Sequence, residues 1–278
     1  DSTPAPVISV SRVYQAMLRW NPRGSRTQVS VGRQVPVALS TIGMFDGTAI
    51  DMDHDRWSVG LLAGTDPEPI SMGLSQTTRR YGGYLQLHNA PAHMPLWTFT
   101  IGGVGAYDRG QIDREFGYFR ATFTSPHFSL FAAQELDVNR GWKSSLEGSN
   151  TTPTSTFVIA HVTLADWLSL NGGADNRRNV RLYRDYQNPE SAFDNAFRQG
   201  AWGGASLSFL NRVRLSSDLR RTSGGSAGDA TSVTHSASVS RITPLQLGFH
   251  ARSTAYSGTM STGSLQSGSV ELNPFGSA

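Results

Sequence analysis

The side chains best equipped for chemistry in this sequence are arginines and carboxylates that keep a two-residue parity. Arg114 and Arg120 alternate with Glu115, Gly117 and Phe119; Glu135 is followed by Asp137, and Arg214 by Asp218 and Arg220. A guanidinium stays charged when partly desolvated and makes forked bonds to carboxylates and phosphates. Such rows therefore suit holding or guiding anions. They do not suit covalent catalysis. The sequence has no Gly-x-Ser-x-Gly elbow, no phosphate-binding glycine loop and no His-Glu-x-x-His. Histidines stand singly at 54, 88, 93, 127, 161, 235 and 250. A hydrolase working on lipid from a barrel wall would need Ser and His together on the apolar face, whereas His250 shares the parity of Arg252. No catalytic residue, metal ligand or cofactor is assigned. With no cysteine, thiolate metal sites and disulfide scaffolds are excluded.

The elements that position these residues read as β-strands, most clearly over Leu96 to Arg140. In the first segment Trp97, Phe99, Ile101, Gly103, Gly105 and Tyr107 share one face. Thr98, Thr100, Gly102, Ala106 and Asp108 share the other. After a turn at Asp108-Arg109-Gly110, Gly117, Phe119, Ala121 and Phe123 oppose Arg114, Tyr118, Arg120 and Thr122. After Ser125-Pro126-His127, Phe128, Leu130 and Ala132 oppose Ser129, Phe131, Ala133, Glu135 and Asp137. Strand side chains alternate with period 2, so each segment has one apolar and one polar face. The segments exceed the roughly 5–6 residues of a soluble strand and match the roughly 9–11 that cross a bilayer at a tilt. Their apolar faces begin or end in aromatic residues, as interfacial girdles do.

The expected fold is all-β: a transmembrane antiparallel up-and-down β-barrel of about 14–16 strands, apolar face to lipid and polar face to a lumen. It would occupy residues 1–278 as a single domain, or be the barrel portion of a longer protein. Composition agrees. Of 278 residues, 38% are hydrophobic and mean hydropathy is −0.31, the soluble-looking average of interleaved strands. Net charge is +3, and Lys143 is the sole lysine. A genome-wide base bias would give the same arginine preference with no function attached.

Along the chain, strands are expected at Val7–Trp20, Arg26–Val35, Ala49–Asp55, Arg56–Gly64 and Arg79–His88 before the central three. Others follow near Ser155–Leu164, Leu168–Gly172, Ala201–Phe209, Val213–Arg220, Ala230–Arg241, Leu245–Ala255 and Thr262–Leu272. Ser155–Leu164 is apolar on both faces, which predicts a covered stretch of lumen wall. Asp175–Ala196 is a long loop whose Arg177, Arg178, Arg181 and Arg184 form either solvated surface or a basic mouth. Asn150-Thr151-Thr152 fits the N-glycosylation pattern, irrelevant in a bacterial membrane. Phe275 lies near the C-terminus, as a Phe does in many such barrels; the trailing Gly-Ser-Ala departs from that pattern.

The strand ending Gly32-Arg33-Gln34, followed by the irregular Pro36–Gly47 stretch with Phe45-Asp46-Gly47, resembles porin-like outer-membrane barrels. The motifs cover residues 26–50, and the strand rhythm extends the likeness along the chain. The resemblance implies that this loop folds into the lumen as a constriction, with Arg33, Asp46 and Asp51 at an eyelet; an ordinary connecting loop is the alternative.

By register, Arg19, Arg56, Arg80, Arg114, Arg120, Glu135, Asp137, Arg214, Asp218, Arg220 and Arg252 line the lumen, with Arg33 added by the loop argument. Their basic excess favours anions. The leading expectation is a passive diffusion pore for small polar or anionic solutes in the bacterial outer membrane. Its partners would be the bilayer with its lipopolysaccharide and those solutes, not nucleic acid; a homo-oligomer and a larger membrane complex read alike. A non-conducting barrel, serving as an anchor or as part of such a complex, is the alternative, its lumen charges neutralising one another. A secreted carbohydrate binder using Trp57, Trp97 and Trp202 is the third reading. The scarcity of lysine on the charged face argues against it.

Overall fold

The structure is a computed structural model that describes residues 12–68, 72–89, 94–183, 198–210, 212–224, 228–242 and 247–272. Expectations at Val7, His93, Arg184, Leu245 and Phe275 lie outside these residues.

Strands form wherever the period-2 pattern runs. They are β1 (Ala16–Trp20), β2 (Thr27–Gln34), β3 (Phe45–Asp53), β4 (Trp57–Thr65) and β5 (Thr78–His88). The central three are β6 (Leu96–Asp108), β7 (Gln111–Thr124) and β8 (Phe128–Val138). After them come β9 (Thr151–Ala165), β10 (Leu168–Arg177), β11 (Arg198–Phe209), β12 (Val213–Ser223), β13 (Ala230–Ile242), β14 (Leu247–Gly258) and β15 (Thr262–Glu271). They make one 15-stranded sheet in sequence order, each strand antiparallel to the next, with β1 and β15 at its two edges. The chain is thus all-β and up-and-down. Fifteen is odd, so the two edge strands point the same way.

Several expected bounds change. The described residues before β1, 12–15, are not strand, and there the Val13 carbonyl accepts a hydrogen bond from Arg33 Nη1 at 2.6 Å. β3 begins at Phe45, inside the stretch expected to be irregular, and β10 runs on to Arg177, into the expected long loop. The stretch Gly141–Thr152 is not all loop. It holds a short helix, α1 (Trp142–Glu147), stopped at Gly148 in the left-handed conformation that glycine adopts freely.

Ladder register carries one face across the whole sheet. Gly102, Tyr118 and Glu135 are cross-strand partners in turn, as are Gly204, Asp218, Thr234 and Thr254. The opposite face exposes Leu18, Val31, Ile50, Leu61, Leu85, Ile101 and Leu219. The two ends of the strands differ. At one end β1–β2, β3–β4, β5–β6, β7–β8, β9–β10, β11–β12 and β13–β14 are joined by short connections, such as 54–56, 125–127 and 166–167. The other end carries four longer connections, 35–44, 66–77, 139–150 and 178–197, beside the short 109–110, 224–229 and 259–261. Aromatic rings on the apolar face gather at the short-connection end: Trp20, Trp57, Trp97, Phe123, Phe128, Phe209 and Phe249, with Trp167 in a turn there. Phe123 and Phe128 sit 5.7 Å apart, and Trp57 stacks on His54 at 5.2 Å.

The polar face carries one apolar cluster. The β2–β3 connection turns onto it through a 3-10 turn at Ser40–Ile42, and Leu39 and Ile42 pack with Phe45, Ala49, Leu62, Val104, Phe116 and Tyr118. Gly102 makes room, since a Cβ there would lie 2.8 Å from Leu39 Cδ2.

Candidate functional site

The two porin-like motifs pair with each other. Gly32 faces Gly47, Arg33 faces Asp46 and Gln34 faces Phe45 across the β2–β3 ladder. A Cβ on Gly47 would lie 2.3 Å from the Ala63 carbonyl oxygen and 2.6 Å from Gly64 Cα, so the backbones there approach too closely for any side chain. Gly47→Ala is expected to cost about 1–3 kcal/mol of stability, read from urea unfolding in detergent micelles.

Arg33 and Asp46 form a buried fork, Nε to Oδ1 and Nη2 to Oδ2, both at 2.7 Å. By parity the fork stands on the apolar face beside Val31, opposite the face of Ser30 and Gln34. Arg33 and Asp46 are therefore not at an eyelet; they clamp the base of the loop. Gln34, on the polar side, donates to the Gly47 carbonyl and takes a hydrogen bond from Ser30 Oγ at 2.6 Å. The loop itself does fold over the polar face. Arg80 holds it there, donating Nη1 to the Ile42 carbonyl and Nη2 to Asp66 at 2.8 Å, while Arg120 Nη1 lies 3.4 Å from the Val37 carbonyl. Asp51 accepts from Tyr84 Oη at 2.7 Å beneath the loop. There a hollow of about 1030 Å³ opens toward the short-connection end, with Arg19 on its wall. Arg56 lies in the exposed turn between β3 and β4 at that end.

Arg114, Glu135 and Asp137, which share the polar parity, come together, with two partners the sequence did not reveal. Arg114 forks onto Asp137 at 2.7–3.2 Å and reaches Glu135 at 2.7 Å. Lys143 of α1 donates to Asp137 Oδ2 at 3.0 Å, and Thr154 Oγ1 donates to Oδ1 at 2.9 Å. Lys143 is only 2% exposed, so the chain's one lysine is an internal counter-ion that pins α1 to the polar face. Nearby, Arg140 donates to Glu115, which holds its guanidinium pKa above the ordinary value. The basic mouth is partly spent as well: Arg178 pairs with Glu147 at 2.8 Å. These contacts are the neutralised network of the non-conducting alternative.

The second half of the sheet differs. Arg214, Asp218, Arg220 and Arg252 share the polar face. Among the described residues, the side chains of Arg214, Asp218 and Arg252 make no hydrogen bond or ion pair, and that of Arg220 has only a ring contact with Trp202, at 5.8 Å. Trp202 is also on this face, against Phe157, which in turn meets Phe131. These rings provide part of the cover expected for the doubly apolar β9. His235 stands on the other face between Ser217 and Ser253 in register.

The arrangement can therefore do two things. Its first half holds the inward loop, with Arg80 and Arg114 paired to carboxylates. Its second half carries Arg214, Arg220 and Arg252 without an ion pair among the described residues. No protein-family model matches the chain, and no curated protein matches it.

Proposed function

We propose that the chain is an outer-membrane-type β-barrel acting as a passive diffusion pore for small polar or anionic solutes, in line with its resemblance to porin-like barrels. The supporting observation is the contrast between the two faces. One is apolar and ringed by aromatic residues at the short-connection end, as a bilayer interface favours, and the other carries unpaired arginines mid-strand. All connections of ten residues or more lie at one end, which fits the same topology. Solute would pass along β11–β15, where Arg214, Arg220 and Arg252 outnumber Asp218 and Glu271, and the inward loop would narrow the path from the β3–β7 side.

The test is the reversal potential in a planar bilayer under a salt gradient. Wild type is expected to prefer anions. The triple variant Arg214→Gln, Arg220→Gln, Arg252→Gln is expected to lose that preference or turn to cations while keeping stepwise conductance. Unchanged selectivity would place the path elsewhere. One observation favours a non-conducting barrel: the apolar plug around Leu39. Stable insertion with no current would give that reading the weight.

A further inference from the structure

Resting on the pore reading, we infer that the β11–β14 wall carries a binding subsite for a monocarboxylated sugar, a uronate-type ring, built on Trp202, Arg220, Asp218 and Arg252. These four line one hollow of about 430 Å³ together with Thr234 and Thr254.

Trp202 is the anchor. Its neighbours along β11 on the same face are Gly200 and Gly204, and on β10 it faces Gly173. A Cβ on Gly173 would lie 2.4 Å from Trp202 Cζ2, so the indole lies where that side chain would be, on a glycine floor and braced by Phe157 at 6.0 Å. The indole N–H has no hydrogen-bond partner among the described residues. An aromatic plate on a water-facing wall is a stacking surface for the C–H face of a sugar ring, with a polar tip for one hydroxyl.

The charges around it select the solute. Arg220 is the direct cross-strand partner of Trp202, and Asp218 stands two residues along, opposite Gly204. Asp218 leans over Gly204, its Oδ1 being 2.1 Å from where a Cβ would be, with Asn171 Oδ1 at 3.0 Å from the same point. Two guanidiniums can take one carboxylate as a fork. The Asp218 carboxylate accepts from sugar hydroxyls and repels a second negative charge, so a singly charged ring fits better than a polyphosphate. The hydroxyls of Thr234 and Thr254, 3.0 Å apart, extend the row of small donors and acceptors.

The test is calorimetric titration of the detergent-folded protein with glucuronate and with glucose, alongside glucuronate block of current in a bilayer. Saturable glucuronate binding, tighter than glucose, is expected. Trp202→Ala and Arg220→Gln should each weaken it about tenfold, an energy of about 1.4 kcal/mol. Trp97→Ala, on the apolar face, should not, and circular dichroism would show that each variant folds. No saturable binding by wild type, or the same affinity in folded Trp202→Ala and Arg220→Gln, would overturn the subsite, whatever the conductance. Binding that persists in a protein that carries no current would uphold the subsite and sink the pore reading instead.

Discussion

Asp137→Ala is expected to destabilise the folded protein by about 3–5 kcal/mol, the cost of removing one partner from a buried ion cluster. Asp137 accepts from Arg114, Lys143 and Thr154, and both it and Lys143 are almost wholly buried. Without it, Arg114 keeps Glu135 and Lys143 loses its ion-pair partner. The account makes a sharper demand of the double variant. Adding Lys143→Met to Asp137→Ala removes the stranded ammonium, leaves Arg114 paired with Glu135, and should recover more than half of the loss. Urea unfolding followed by tryptophan fluorescence measures both steps. Equal stability of the single and double variants would mean that Lys143 is solvated, and that α1 is not pinned.

Leu39→Asp is expected to release the inward loop and enlarge the conductance of single channels. Leu39 has no solvent exposure and lies among Ala49, Leu62, Val104 and Phe116. Truncating such a side chain costs about 2–5 kcal/mol, and an unpaired carboxylate in the same place costs more. Arg80 and Arg120 hold only carbonyls of the loop, so they cannot keep it docked against that penalty. Leu39→Ala should give an intermediate phenotype with more frequent current fluctuations. Wild-type conductance in Leu39→Asp would show that the loop does not narrow the path.

Much of the fold was legible because a strand has a rigid two-residue period. Trp97-Thr98-Phe99-Thr100 can sit in only one way on a two-faced sheet, and the polar parity of Arg114, Arg120, Arg214 and Arg252 survived into the ladder. The loop's inward turn was legible only through the resemblance. Its charged residues misled: Arg33 shares the parity of Val29 and Val31, which places it on the apolar face, but its nearness to the loop suggested an eyelet. The bidentate bond to Asp46 explains how that face tolerates it. Thr154 was hidden by the register shift between Glu135 and Leu136, and Lys143 by its place in what reads as polar loop. Trp202 carried a usable signal, an aromatic out of phase with Ala201, Gly203 and Ala205, but it was taken for a surface aromatic of a soluble binder.

The central claim is that one face of this sheet meets lipid and the other meets water, and the absence of cysteine allows a direct test. Single cysteines at Leu61, Ile101 and Leu219 on one face and at Ser216, Thr234 and Ser267 on the other would be exposed to a membrane-impermeant maleimide in liposomes. Rapid labelling of the second set is expected, with protection of the first until detergent is added. Equal labelling of both sets in intact liposomes, or protection of the Ser216, Thr234 and Ser267 positions, would contradict it.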